Sequence, residues 1–274
     1  MPGLLPPFLR GDVEPHWLYV RWVRGVPWAR TIDRFKSYSI YVTVITMVIV
    51  VGGGITAYNS GAEEATAIII LGVAGFAFII VDFASVLFGI ATAREHISKF
   101  DLLRMSPLPP ELLTKTLYQV AQTRSWRVLV VMQAIRFSVI VISVIFSYRL
   151  GGLIVFLLAG IVFVFALWEP VWRIQLTTAI GVMAGVAVDG VTSQWGMGFG
   201  LLMLLWVAQG IVGLIPFAMI FLPGFDGTGV NVFFFWVWFA GTPPLMAWGI
   251  RYAQRRICHY CLARTSRHIL EPAS

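Results

Sequence analysis

Asp82 and Arg136 are the two charges most clearly embedded in long apolar stretches of this 274-residue chain. A charged side chain is expensive in hydrocarbon and persists where it pairs or works, so each marks a functional position by default. Asp82 lies about ten residues before the basic end of its stretch near Thr92. Arg136 lies about nine residues into the next stretch, counted from Arg127. At 1.5 Å per residue both sit roughly 14 Å deep, and equal depth on consecutive antiparallel helices predicts an Asp82–Arg136 ion pair. Fixing helix packing is its simpler role; forming part of a polar pathway is the sharper one. Glu169 and Arg173 flank Pro170 in Trp168-Glu-Pro-Val-Trp-Arg173. Tryptophans at both edges suggest an interfacial corner of structural importance, formed by Trp168, Glu169 and Arg173.

Other chemistries lack their residues. Cys258 and Cys261 are the only cysteines, in the order Cys-His-Tyr-Cys, which is not the haem-attachment pattern. A zinc site there would need two more ligands, with His259 and His268 the nearest candidates. Two unbonded thiols on a short cytoplasmic helix is the preferred reading. His16, His96, His259 and His268 all lie outside the apolar stretches, so an embedded haem or chlorophyll has no histidine ligand. A Ser–His intramembrane protease lacks its base. No G-x-S-x-G elbow or phosphate-binding G-x-x-x-x-G-K-[ST] occurs either. Neither enzymatic chemistry, nor a cofactor, nor a metal is expected of this chain.

The elements that must position these residues follow from composition. Hydrophobic side chains make up 58% and charged ones 12%, against about 25% charge in ordinary soluble domains. With a mean hydropathy of +0.83, the chain cannot cover a water-facing surface, which excludes a soluble enzyme. The apolar runs lack alternating polar positions, which excludes a transmembrane β-barrel. Runs long enough to cross a ~30 Å hydrocarbon core fall at about 38–58, 66–92, 127–148, 151–168, 174–192, 198–222 and 231–250.

Basic residues cluster in the N-terminal segment, in 93–127 and in the tail after 250, whereas Glu63 and Glu64 occupy the loop after the first run. The positive-inside rule puts both termini and the 93–127 segment in the cytoplasm of a bacterial-type plasma (inner) membrane. The net charge of +7 is thus topology meeting anionic lipid, and no nucleic-acid partner is expected. Seven crossings would separate the termini, so one run must be re-entrant or interfacial. The weakest region is 174–222, with Asp189, Thr192-Ser-Gln194, several glycines and Pro216. The expected fold is all-α: a polytopic membrane protein with six transmembrane helices and a broken or re-entrant element before the last. In the N-terminal segment, Trp17, Trp22 and Trp28 interleave with arginines over 14–36, as in a helix lying in the headgroup plane. No basic, apolar leader opens the chain, so no cleaved signal peptide is expected. Segments 1–37, 38–250 (with cytoplasmic 93–126) and 251–274 divide the chain.

The most distinctive cytoplasmic stretch is Arg94-Glu-His-Ile-Ser-Lys-Phe-Asp-Leu-Leu-Arg-Met-Ser-Pro-Leu-Pro-Pro-Glu-Leu-Leu-Thr-Lys115. A short amphipathic helix fits 95–105, and a second helix starts near Glu111, where Pro110 suits a first turn. In this stretch the chain resembles the membrane subunits of ABC-2 type transporters, whose coupling segment follows E-R-E-x-G-T-x-E/D-L-L-x-x-T/S-P-L. Phe100-Asp-Leu-Leu103 and Ser106-Pro-Leu108 match; Arg94, Glu95 and His96, Ser98 and Lys99 depart from it. The resemblance implies a permease half that dimerises and docks a separate cytoplasmic ATP-binding subunit through 94–115. Glu95, Phe100, Asp101, Leu103, Pro107 and Leu108 would carry the coupling. A chain keeping this fold with an altered coupling sequence would instead serve as a non-transporting structural subunit of a larger respiratory or photosynthetic membrane complex. Lipids and other subunits then cover its apolar surface, including Phe233-Phe-Phe-Trp-Val-Trp-Phe239.

Overall fold

A backbone crossing hydrocarbon has to satisfy its own N–H and C=O groups, which restricts apolar runs of this kind to helices. In the computed structural model the described residues are 22, 32–59, 63–97, 108–220, 248–249, 251–253, 255–267 and 269. Side chains are described at 22, 37–56, 79–96, 108–135, 137–138, 171–208 and the same C-terminal positions. All regular structure among the described residues is helical: α1 (Ile32–Asn59), α2 (Glu63–Ile97), α3 (Pro110–Ala187), α4 (Val191–Ile220) and a C-terminal stretch, α5, over 255–267. Ser37–Thr56 in α1 and Val191–Ala208 in α4 are long and apolar enough to cross a membrane. Most of both lies open on the surface of the bundle, where Ile40, Tyr41, Val48, Ile49, Leu204 and Val207 are exposed.

α3 starts where its prolines dictate. Pro109 holds an extended backbone (φ −66°, ψ 138°), Pro110 takes the first helical position, and the N–H groups of Leu112 and Leu113 donate to the Pro109 carbonyl. Over 78 residues a straight helix would measure about 117 Å. Yet Ser125 Oγ and Thr178 Oγ1 lie 3.4 Å apart, where a rod would separate them by about 80 Å. The helix therefore doubles back. Leu129 packs in the same cluster as Ile174, and both pairs have their midpoint at Gly151–Gly152. The reversal between two antiparallel limbs lies between these contacts, within residues 130–173.

The second limb then runs parallel to α2 at a constant offset. Ser85 and Thr177 share a hydrogen bond of 2.5 Å. Gly89 faces Gly181, and Gly185 faces Ala93. Ser85, Gly89 and Ala93 thus form a stripe at four-residue spacing, matched by Thr177, Gly181 and Gly185. Small residues at this spacing let two helix backbones approach closely, which is how helices associate where lipid removes the hydrophobic drive. At Gly181 a Cβ would sit 2.3 Å from the Val86 carbonyl oxygen, so only glycine fits.

Gly190, at φ +88°, turns the chain between α3 and α4, a left-handed conformation that glycine adopts without strain. The Gln194 amide caps the end of α3, its Nε2 donating to the carbonyls of Gly185 (3.0 Å) and Val188 (2.9 Å). α4 returns antiparallel, with Gly198 against Ile90 and Val86. Two sequence expectations change here. The runs 151–168 and 174–192, counted separately, belong to one continuous limb, because Pro170 removes a single N–H without ending the helix. The interruption expected in 174–222 is the three-residue turn at 188–190, and the polar run Thr192-Ser-Gln194 is a capping turn. α4 continues through Pro216 to Ile220. The segment 221–247 lies outside the described residues.

Candidate functional site

Asp82, Arg173 and Trp206 meet where α2, the second limb of α3 and α4 converge. The Asp82 carboxylate is fully buried, and its Oδ2 accepts from Arg173 Nε at 2.6 Å and from Trp206 Nε1 at 2.7 Å. Arg173 is itself 7% exposed. A buried carboxylate is tolerable when cations and N–H donors replace the water it lost, and these contacts supply both. Phe83 closes the side toward α4, with ring centroids 4.7 Å from Phe199 and 5.5 Å from Trp206. Below the ion pair, Ser85–Thr177 and Ser125–Thr178 hydroxyl contacts extend a polar seam through an otherwise apolar core.

The sequence reading identified Asp82 correctly as an embedded charge and missed two of its partners. Arg173, read as part of an interfacial corner at Pro170, is instead buried and bonded to Asp82, because the helix runs through Pro170 and turns Arg173 inward. The side chains of Arg136, Trp168 and Glu169 lie outside the described residues. Trp206 carried no local signal, since its depth depends on the register of α4.

A second cluster braces the C-terminal end of α2. Arg124 of α3 donates to Glu95 Oε2 at 2.6 Å and to Thr92 Oγ1 at 3.2 Å. With the Glu95 side chain 49% exposed, this ion pair is worth at most about 1 kcal/mol and acts mainly as an alignment. His96 is buried, its Nδ1–H donating to the Thr92 carbonyl at 2.8 Å, and Trp22 packs on its ring at 4.3 Å between centroids. Trp22, expected in the headgroup plane, is thus buried against α2. α2 stays helical to Ile97, so 95–97 belong to it and do not start a separate helix. Leu108 is half-buried just ahead of α3; Phe100, Asp101, Leu103 and Pro107 lie outside the described residues.

The C-terminal tail is more than a basic appendage. Cys258, Cys261, Leu262, Thr265 and Ile269 recur at three- and four-residue spacing and turn toward the bundle. Cys261 packs with Leu176, Ala179, Ile180 and Met183 of α3. Tyr118 donates its hydroxyl to the Gln175 carbonyl at 3.0 Å, accepts from Gln122 Nε2 at 2.8 Å and lies 3.5 Å from Cys258 Sγ. Burial pushes the Tyr118 phenol and the Cys258 thiol up, and it lifts the Cys261 thiol to about 12, helped by nearby Cys258. Both thiols are free and stay protonated at neutral pH. Iodoacetamide at pH 7.5 should therefore leave Cys261 unmodified in the folded protein and label Cys258 slowly. Both should react fully after denaturation, as read by peptide mass spectrometry. Rapid native labelling of Cys261 would show that α5 does not dock as described.

No protein-family model, characterised protein or solved structure matches this chain.

Proposed function

We propose that this chain is an ABC-2-like transporter permease subunit that docks a separate ATPase through the 94–115 segment. The observation that carries the reading is the bracing of both ends of that segment. Glu95 and Thr92 on α2 are tied to Arg124 on α3, with Trp22 packed behind on His96. A connection that transmits force between a cytoplasmic motor and membrane helices has to be anchored on rigid elements, and this one joins the ends of α2 and α3. The arrangement also supports six crossings with both termini cytoplasmic. α2 and the second limb of α3 run parallel, with the first limb and α4 opposed to them. Merging 151–168 and 174–192 into one limb removes the odd run, and the last crossing is assigned to 231–250.

Affinity purification of the tagged protein from its native membrane in mild detergent tests the proposal. The expected result is a copurifying ATPase whose recovery falls at least tenfold with Asp101→Arg, while the variant still reaches the membrane. Recovery of the ATPase unchanged by Asp101→Arg would remove the segment from docking.

A second reading, a non-transporting structural subunit of a respiratory or photosynthetic complex, is favoured by one feature. The α2–α3 seam is closed backbone to backbone at Gly89 and Gly181, leaving no room there for a solute. It expects redox or pigment proteins in the same purification and no ATPase.

A further inference from the structure

The tail carries an unneutralised cation cluster at one end of its helix. Arg255 and Arg256 are exposed, and Arg251 is half-buried beside them. Among the described residues none of the three forms an ion pair with a carboxylate. Arg251 and Arg256 are held in place by something other than a counter-charge. The Arg251 guanidinium lies 4.9 Å above the Trp172 ring and donates to Gln175 Oε1 at 3.2 Å. The Arg256 guanidinium lies 5.3 Å over the Tyr252 ring and donates from Nε to the Tyr252 hydroxyl at 3.0 Å. Tyr252 in turn stacks on Trp248, which is 70% exposed, with centroids 5.8 Å apart.

The order along the chain has a direction. Apolar run 231–250 ends in exposed Trp248, then comes Tyr252, then Arg255 and Arg256, about 12 Å further at helical rise. Aromatic rings followed by guanidiniums one to two turns on is the sequence a helix shows as it leaves hydrocarbon through the headgroup layer. Trp172, over which the Arg251 guanidinium lies, adds a third ring beside the same cations.

We propose that Arg255 and Arg256, with Tyr252 and Trp248, form a binding site for the phosphodiester of an anionic phospholipid at the cytoplasmic leaflet. The aromatic platform lies against the acyl boundary and the two guanidiniums close on the phosphate, whose charge they neutralise. Arg251, pinned by Trp172 and Gln175, fixes the start of the helix. Arg264 and Arg267 are also exposed but lie two or more turns further from the aromatic pair, and they take no part.

The inference rests on membrane insertion and is independent of ATPase docking. The test is lipid retention by the full chain, extracted from nanodiscs of phosphatidylcholine containing phosphatidylglycerol and read by native mass spectrometry. Wild type should retain phosphatidylglycerol, with phosphatidylcholine not retained in its place. Arg255→Gln/Arg256→Gln should weaken retention by about thirtyfold at low ionic strength. Arg264→Gln/Arg267→Gln should match wild type, and all three proteins should elute identically on size exclusion because the altered side chains are exposed. Equal retention by wild type and the Arg255/Arg256 variant would overturn the site, as would equal loss in the distal variant. A chain that never enters the nanodisc would overturn insertion itself.

Discussion

Arg173→Leu is expected to destabilise the protein by about 3–5 kcal/mol, measured by unfolding in detergent micelles with tryptophan fluorescence as the readout. The substitution removes the cation from a carboxylate that has no exposure at all, and breaking a buried pair from one side costs that much. Asp82→Leu should cost less. It leaves a guanidinium on a long flexible stem that can swing its head toward water, whereas the Asp82 carboxylate is held a single methylene from the α2 backbone and cannot. Trp206 also loses its acceptor in that variant, which keeps the cost well above zero. The double variant Asp82→Leu/Arg173→Met should recover most of the loss, because well-packed apolar residues often replace a buried ion pair at no net cost. A double variant as unstable as the sum of its singles would mean that the two residues are not energetically coupled.

The second large effect is expected at Gly181. Its Cβ position lies 2.3 Å from the Val86 carbonyl oxygen and 3.0 Å from Gly89 Cα, both backbone atoms of α2, so no side chain can move aside. Gly181→Ala must push the two helices apart, opening the Ser85–Thr177 hydrogen bond and loosening Gly185 from Ala93. A cost at or above the upper end of the usual 1–3 kcal/mol for overpacking is expected, and Gly181→Leu should prevent the seam from forming. Gly52→Ala on α1 is the internal control. Nothing lies within 4 Å of its Cβ, and alanine favours a helix over glycine by about 1 kcal/mol, so stability should hold or rise. In a background with Cys258 and Cys261 replaced by serine, Ser85→Cys and Thr177→Cys should cross-link on oxidation, and Gly181→Leu should abolish the cross-link. A cross-link that survives Gly181→Leu would show that these glycines do not set the helix spacing.

The helical content, an apolar helix over 38–58 long enough to cross a membrane, the start of α3 at Pro110 and the buried charge at Asp82 were all legible in the sequence. Each rests on a local rule: apolar length, proline at the first helical position, or the cost of charge in an apolar run. What escaped was everything that depends on which helices are neighbours. Arg136 was read as the partner of Asp82 on the consecutive helix, and its side chain lies outside the described residues; Arg173, which bonds to Asp82, was not anticipated because it lies on a parallel, non-consecutive limb 91 residues away. A signal for that limb did exist. Ser85, Gly89 and Ala93 repeat every fourth residue, as do Thr177, Gly181 and Gly185, and matching the two stripes would have aligned the helices. Pro170 misled in the opposite direction, suggesting a corner where the helix continues. In the tail, counting charge hid the inward stripe of Cys258, Cys261, Thr265 and Ile269, which periodicity alone reveals.

The parallel pairing of α2 with the second limb of α3 also sets a timetable for biosynthesis. Two parallel neighbours cannot be joined by a tight turn, and Gly181 follows Gly89 by an entire out-and-back excursion of the chain. At a translation rate of about 5–20 residues per second, α2 is complete for roughly 5 to 18 seconds before its mate has been made. During that interval its small-residue stripe has no matching stripe to close on. Closure of the central seam therefore waits on a partner that arrives late, and truncation of the nascent chain anywhere before Gly185 would leave α2 unmatched.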